Sequence, residues 1–187
     1  MYFNRFVTKE MLQLIVEHTN QYSVQKKGKS INTNVKEIEQ VLGMYFNMGL
    51  VEMNAVRMYW EKETRYPPVA DLMSRNRFQL ILSMIHFVDN ESVSDVTKKD
   101  WLWKIRPFLN LFHTQCTNIS PMQHQSIDEM MVPYKGKFDN IRQYVRGKPH
   151  PWGFKIWARC AKNGLLHDFD VYQGKGRGEK KCEFGVG

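Results

Sequence analysis

The chain has 187 residues, 42% hydrophobic and 13% aromatic, which is enough apolar material to bury a core and too much for a chain disordered by composition. No apolar run approaches the roughly 20 residues of a membrane span, and residues 1–6 lack the apolar stretch of a secretory signal. A net charge of +8 favours a polyanionic partner, and an odd count of three scattered cysteines (Cys116, Cys160, Cys182) argues for an intracellular compartment over a disulfide framework.

The first 120 residues predict helices. Thr8 caps one in which Met11, Leu12, Ile15 and then Thr19 or Tyr22 fall at helical spacing, ending near Lys26-Lys27-Gly28-Lys29. That basic linker is too short to read as a nuclear-import signal. Asn34 with Glu37 three residues later starts a second helix, with Val35, Ile38, Val41, Leu42 and Tyr45 on one side. Residues 54–60 suggest a short third helix, closed off by Tyr66-Pro67-Pro68.

Ser74 caps the clearest helix, where Phe78, Ile81, Leu82 and Ile85 form one apolar stripe. Arg75 and Arg77 lie near its start, where the helix dipole attracts phosphate; they also suit an ordinary amphipathic helix with exposed arginines. Polar residues 89–99 read as a loop. A last helix over 101–116 carries Leu102, Ile105, Leu109 and Phe112, with Pro107 forcing a kink or a late start. His113 and Cys116 read as a pair on one helix face, because no second pair sits at the spacing of a zinc finger. The five tryptophans and eleven methionines are expected mainly in the core.

From Gln125 onward the pattern changes to strands. Residues 126–132 are apolar-rich and stopped by Pro133, as in a buried or half-buried strand, so the carboxylate of Asp128 would displace core packing and calls for a functional reason. Alternation puts Ser126, Asp128 and Met130 on one face and Ile127, Glu129 and Met131 on the other. Residues 154–160 and 165–172, joined by Lys162-Asn163-Gly164, form a hairpin, and with the Asp128 strand beside it the unit is a three-stranded meander.

Between Pro133 and Lys162 there are eight basic residues against one acid, interleaved with Tyr134, Phe138, Tyr144, Trp152, Phe154 and Trp157. Lys and Arg neutralise phosphates while rings stack on opened bases, although a solvated hairpin with core aromatics behind it gives the same pattern. Asp168 and Asp170 fit structural or surface roles better than a metal site. The glycines and bases of residues 174–178 lack P-loop spacing, which argues against nucleotide hydrolysis. His86, His124 and His150 have no nucleophile to serve.

The runs IDEMMVPYKGK, QYVRGKPHPWGFKIWARC and DFDVYQGKG resemble the opening of the catalytic domain in piggyBac-type transposases and the host proteins derived from them. YFNRFVTKEMLQLIVEHTNQY, PPVADLMSRNRFQLILSMIHFVDN and DWLWKIRPFLNLF resemble the segment that precedes it, so the resemblance runs from Tyr2 to about Gly187. It implies an α+β fold: a mostly helical dimerisation and DNA-binding-like domain over 1–122, then over 123–187 the first three strands of an incomplete RNase H-like (DDE transposase) domain. Asp128 would be the first catalytic aspartate and a ligand for Mg²⁺. Two-metal chemistry needs several carboxylates, and in the family the others come from later strands. Mg²⁺ is therefore expected only if a longer product supplies them.

The expected nucleic-acid contacts are Lys135, Lys137, Arg142, Arg146, Lys148, Trp152 and Lys155, with Arg75 and Arg77 on the helical side. DNA and a second copy, as a homodimer, are the implied partners, with no membrane, no small-molecule cofactor and a nuclear location. Two functions follow. One is a transposase-derived DNA-binding protein without strand transfer, favoured because one acid cannot assemble a two-metal site. The other is the front part of an active DDE transposase that cuts and rejoins DNA at TTAA sites with Mg²⁺.

Overall fold

The computed structural model describes residues 3–136 and 141–174. They fall into two compact units, Met1–Phe112 and His113–Gly187. The first contains α1 (Phe3–Phe6), α2 (Lys9–Lys27), α3 (Val35–Leu50), α4 (Pro67–Ala70) and α5 (Arg75–Met84), with 3-10 turns at Val56–Trp60 and Thr97–Lys99. A further helix, α6 (Arg106–Thr117), begins in this unit.

The three predicted caps start α2, α3 and α5. Thr8 accepts a bond from the Met11 amide, Asn34 from that of Glu37 and Ser74 from that of Arg77, at 3.3, 3.0 and 3.3 Å. Gly28 ends α2 at a φ of 69°, a left-handed conformation open to glycine, and its N–H bonds the Val24 carbonyl at 2.7 Å. The core gathers Leu12 and Ile15 from α2, Ile38, Val41 and Met44 from α3, and Phe78 and Ile81 from α5, closed by Tyr59, Val69 and Met73. Burying a side chain such as Phe78 contributes about 2–3 kcal/mol.

The α2–α3 connection is held by side chains. The Asn20 amide bonds both the N–H and the carbonyl of Thr33, at 2.8 and 2.9 Å, and Ser23 Oγ accepts from the Ile31 amide at 3.0 Å. Pro67 starts α4 instead of only closing what precedes it, because its fixed φ and missing N–H suit a first helical position. Pro107 likewise falls in the first turn of α6, so the helix starts late.

The second unit is built around a central strand. β1 (Gln125–Pro133) pairs antiparallel with β3 (Trp152–Ala161) along its whole length, from Gln125 opposite Ala161 to Pro133 opposite Gly153. The other side of β3 takes two strands end to end: β2 (Arg142–Tyr144), with Arg142 opposite Phe154, and β4 (Leu166–Val171), with Val171 opposite Ile156. The expected meander is present, and β2 is a fourth strand inside what reads from sequence as a loop. A Cβ at Gly153 would collide with the Val132 carbonyl, so the close approach of β1 and β3 there requires glycine.

The buried residues of this unit, drawn from both faces of the sheet, include Cys116, Ile119, Ile141, Ala158, Ala161, His167 and Val171. The strand bearing Asp128 is not buried. Ile127 is 70% exposed, Met130 45%, and Asp128 itself lies in solvent. Among the described strands β1 pairs only with β3, leaving its outer edge open. Apolar composition marked the strand correctly but said nothing of what covers it. Trp152, Trp157 and Met122 are exposed as well, while Met11, Met44, Met73 and Met84 are in the core.

Candidate nucleic-acid interface and Asp128 strand

Register and alternation sort the side chains of the sheet. Residues directly opposite on antiparallel strands share a face, so Ser126, Asp128, Met130 and Val132 lie with Cys160, Ala158, Ile156 and Phe154. Arg142, Tyr144 and Trp152 belong to that same face. Glu129, Met131, Lys155, Trp157 and Arg159 occupy the other.

On the first face, Asp128 sits opposite Ala158, and one of its oxygens accepts from the Glu129 amide at 2.8 Å. Four to six residues along β3, about 13–20 Å away at strand rise, lies an aromatic cluster. The Arg142 guanidinium lies 4.3 Å from the centre of the Trp152 ring and donates to the Gly136 carbonyl at 3.0 Å. Tyr144 packs on Trp152 with ring centres 5.0 Å apart, and Tyr134 on Phe154 at 4.7 Å. Trp152 is 48% exposed, so its ring offers free surface while carrying a cation. Lys135 and Arg146, in the segments after β1 and β2, are exposed.

On the second face, Lys148 reaches Glu129, 3.4 Å from its carboxylate and 3.2 Å from its carbonyl. Glu129 thus points away from Asp128, as alternation requires. Lys155 stands over Trp157 at 4.2 Å and lies farther from Tyr172, at 5.8 Å. Asp168 bridges His113 Nε2 at 2.7 Å and Arg159 at 3.4 Å, a structural ion pair. Burial pushes the Cys116 thiol up to about 11, which keeps it protonated at neutral pH and unsuited to ligate a metal beside His113.

The expected contact residues are therefore divided. Arg142 and Trp152 share a face with Asp128, whereas Lys155 lies on the opposite one because a strand's period of two separates it from Trp152, and Lys148, between β2 and β3, reaches Glu129 of that opposite face. Lys137 lies outside the described residues. Arg77 is not available to phosphate. Its Nε and Nη2 bond the Glu37 carboxylate at 2.8 and 2.6 Å, and its Nη1 the Ile31 carbonyl at 2.9 Å. The helix start invited an anion, and α3 supplied one from within the fold. The Arg77 guanidinium holds the Glu37 carboxyl below the usual range. Arg75, at the first position of α5, remains exposed. The ring beneath Arg142 comes from another strand and carried no spacing signal, whereas Trp157, two positions after Lys155 in β3, was legible from alternation.

A divalent ion of the Mg²⁺ type needs a set of oxygen ligands, and a two-metal centre several carboxylates. Among the described residues no group of three or more His, Cys, Asp or Glu is placed to hold a metal. Asp128 offers one exposed carboxylate, so these residues do not fit a two-metal centre by themselves.

A family model described as Transposase IS4 matches residues 1–184. PiggyBac transposable element-derived protein 3 of Homo sapiens is 35% identical over 185 residues, which are 97% of this chain and 30% of that protein. PiggyBac transposable element-derived protein 2 of Homo sapiens is 31% identical over 175 residues, 92% of this chain and 29% of that protein. The chain thus spans less than a third of these relatives' length. A piggyBac transposase, solved by cryo-EM as a synaptic complex with hairpin DNA, shares the fold at a TM-score of 0.84 and 24% identity, over 96% of this chain and 39% of that one. The helices followed by an antiparallel sheet are the α+β architecture expected from sequence, and the chain belongs to the Transposase IS4 family as a piggyBac-type member.

Proposed function

We propose that this chain is a transposase-derived DNA-binding protein whose contact surface is the sheet face carrying Arg142, Tyr144 and Trp152. The observation that carries the proposal is the half-exposed Trp152 ring with a guanidinium stacked on it and a tyrosine at its side. Such a cluster gives an opened base a platform and a phosphate a cation, worth about 1–3 kcal/mol per stacked base. Exposed Lys135, Arg146 and Arg75 add phosphate contacts. The DNA in the complex of the related transposase supports the same class of partner, and DNA as ligand puts the protein in the nucleus.

Strand transfer is not assigned to these residues alone, since Asp128 is one carboxylate. A second reading rests on its exposure. Asp128 would contribute a ligand to an RNase H-like centre completed by carboxylates from a longer product, for cutting and rejoining at TTAA.

Fluorescence anisotropy of labelled duplex and hairpin DNA across a salt series tests the first reading. Binding should fall linearly on logarithmic axes with a slope of about −0.9 per phosphate contacted. Trp152→Ala should cost about 1–3 kcal/mol, with the larger loss on DNA that has unpaired bases. Binding indifferent to salt would end the proposal. For the second reading, Mg²⁺-dependent nicking by a longer product should vanish in Asp128→Asn, and nicking that persists removes Asp128 from the chemistry.

A further inference from the structure

We propose that Ser92 is a phosphorylation site for an acid-directed Ser/Thr protein kinase, and that its phosphate loosens the segment 89–99 from α2. Two serines of the described residues have an acid three positions on, Ser92 followed by Asp95 and Ser126 followed by Glu129; Thr97, with Asp100 three positions on, is followed directly by Lys98 and Lys99, cations that an acid-directed kinase disfavours. A protein kinase must bind its substrate segment with the backbone free, and the fold separates the two. Ser126 lies within β1, paired in register with Cys160. Ser92 is exposed in an irregular stretch, with Asp89 and Glu91 adding acids before it.

The hydroxyl is loosely held, 3.4 Å from the Asp89 carbonyl, at the weak end of hydrogen bonding. Its neighbour Ser94 is engaged, accepting from the Thr97 amide at 3.3 Å and lying 3.0 Å from the Thr97 hydroxyl. In the transfer, Ser92 Oγ bonds the γ-phosphorus of ATP as the bond to the β-phosphate oxygen breaks. The hydroxyl proton passes to the kinase's base, and ADP leaves.

The consequence lies in Asp89. Its two carboxylate oxygens accept from Gln21 and Gln25 of α2 at 2.6 and 2.9 Å, and one also takes the Glu91 amide at 2.9 Å. These bonds tie the segment to the helix. A phosphate on Ser92 sets a charge near −2 close to that carboxylate. Of the basic side chains that line the same depression as Ser92, Arg106 is already bidentate with Asp100 at 2.6 and 2.9 Å, and His18 of α2 lies 3.4 Å from the Gln21 side-chain oxygen. Repulsion therefore acts on the tie, and the segment opens.

The test incubates the folded chain with ATP and an acid-directed Ser/Thr kinase, and reads intact mass and phosphopeptides. The expected result is a single phosphate on Ser92, lost in Ser92→Ala and taken up more slowly in Asp95→Asn. In the urea-unfolded chain Ser126 should be modified too. No uptake by the folded chain, uptake unchanged in Ser92→Ala, or equal uptake at Ser126 in the folded chain would each overturn the assignment. Trypsin should cut the phosphorylated chain faster at Lys98 and Lys99 than the unmodified one, and equal rates would overturn the loosening.

Discussion

Replacing Arg77 by methionine separates a structural arginine from a phosphate-binding one. The side chain makes two bonds to Glu37 and one to the Ile31 carbonyl, all between 2.6 and 2.9 Å, and so joins α5 to α3 and to the α2–α3 connection. Bonds to charged groups contribute about 1.5–3 kcal/mol each when dry. Here the arginine and glutamate side chains are 26% and 22% exposed, so solvent screening trims that figure. Methionine preserves the packing of the stem but leaves the Glu37 carboxylate with only the Thr33 hydroxyl and the Asn34 backbone, and no cation.

We expect a loss of about 2–3 kcal/mol, or about 5–10 °C in melting temperature for a chain of this size. Urea denaturation followed by circular dichroism measures it. Arg77→Lys should recover only part, because an ammonium cannot make the paired contact. Salt-dependent DNA binding of the folded variant should be unchanged, whereas Arg75→Ala should leave stability alone and reduce the salt slope by about one contact. If Arg77→Met alters stability by less than about 0.5 kcal/mol and instead flattens the salt slope, the structural role assigned to Arg77 is wrong.

The same pair predicts a pH dependence. The Glu37 carboxyl is lowered in the folded state from its ordinary value of 4.5, so its contribution is present above that value and is lost as the pH falls through the lower folded one. A Glu37→Gln variant should therefore lose less stability than the parent between pH 5 and acid, as read from urea midpoints. Gly153→Ala, which drives a Cβ into the Val132 carbonyl, should unpair the end of β1 and speed amide exchange at Met131 and Val132 without affecting the helical unit. Cys116, fully buried and with its thiol up to about 11, should alkylate far more slowly at neutral pH than Cys160, and the difference should vanish in denaturant.

Local chemistry was legible in the chain because its determinants lie within about four residues of each other. Thr8, Asn34 and Ser74 begin their helices and Gly28 ends one, since each cap bonds a backbone group in its own turn. The alternation that sets Asp128 and Glu129 on opposite faces is equally a property of the strand itself. Even the division of Trp152 from Lys155 was implicit in their odd spacing, although reading them as one basic and aromatic patch hid it.

What the tertiary structure decided were encounters across long separations. Arg77 meets Glu37 forty positions away, and nothing near Arg77 in the sequence tells whether its guanidinium pairs with a phosphate or with a neighbour's carboxylate. Lys148 meets Glu129, Asp168 meets His113, and Arg142 settles on Trp152 through the pairing of β2 with β3. The exposure of β1 is of the same kind. Apolar side chains make a strand, and only the elements laid against it determine whether that strand, and the carboxylate of Asp128 with it, faces protein or solvent.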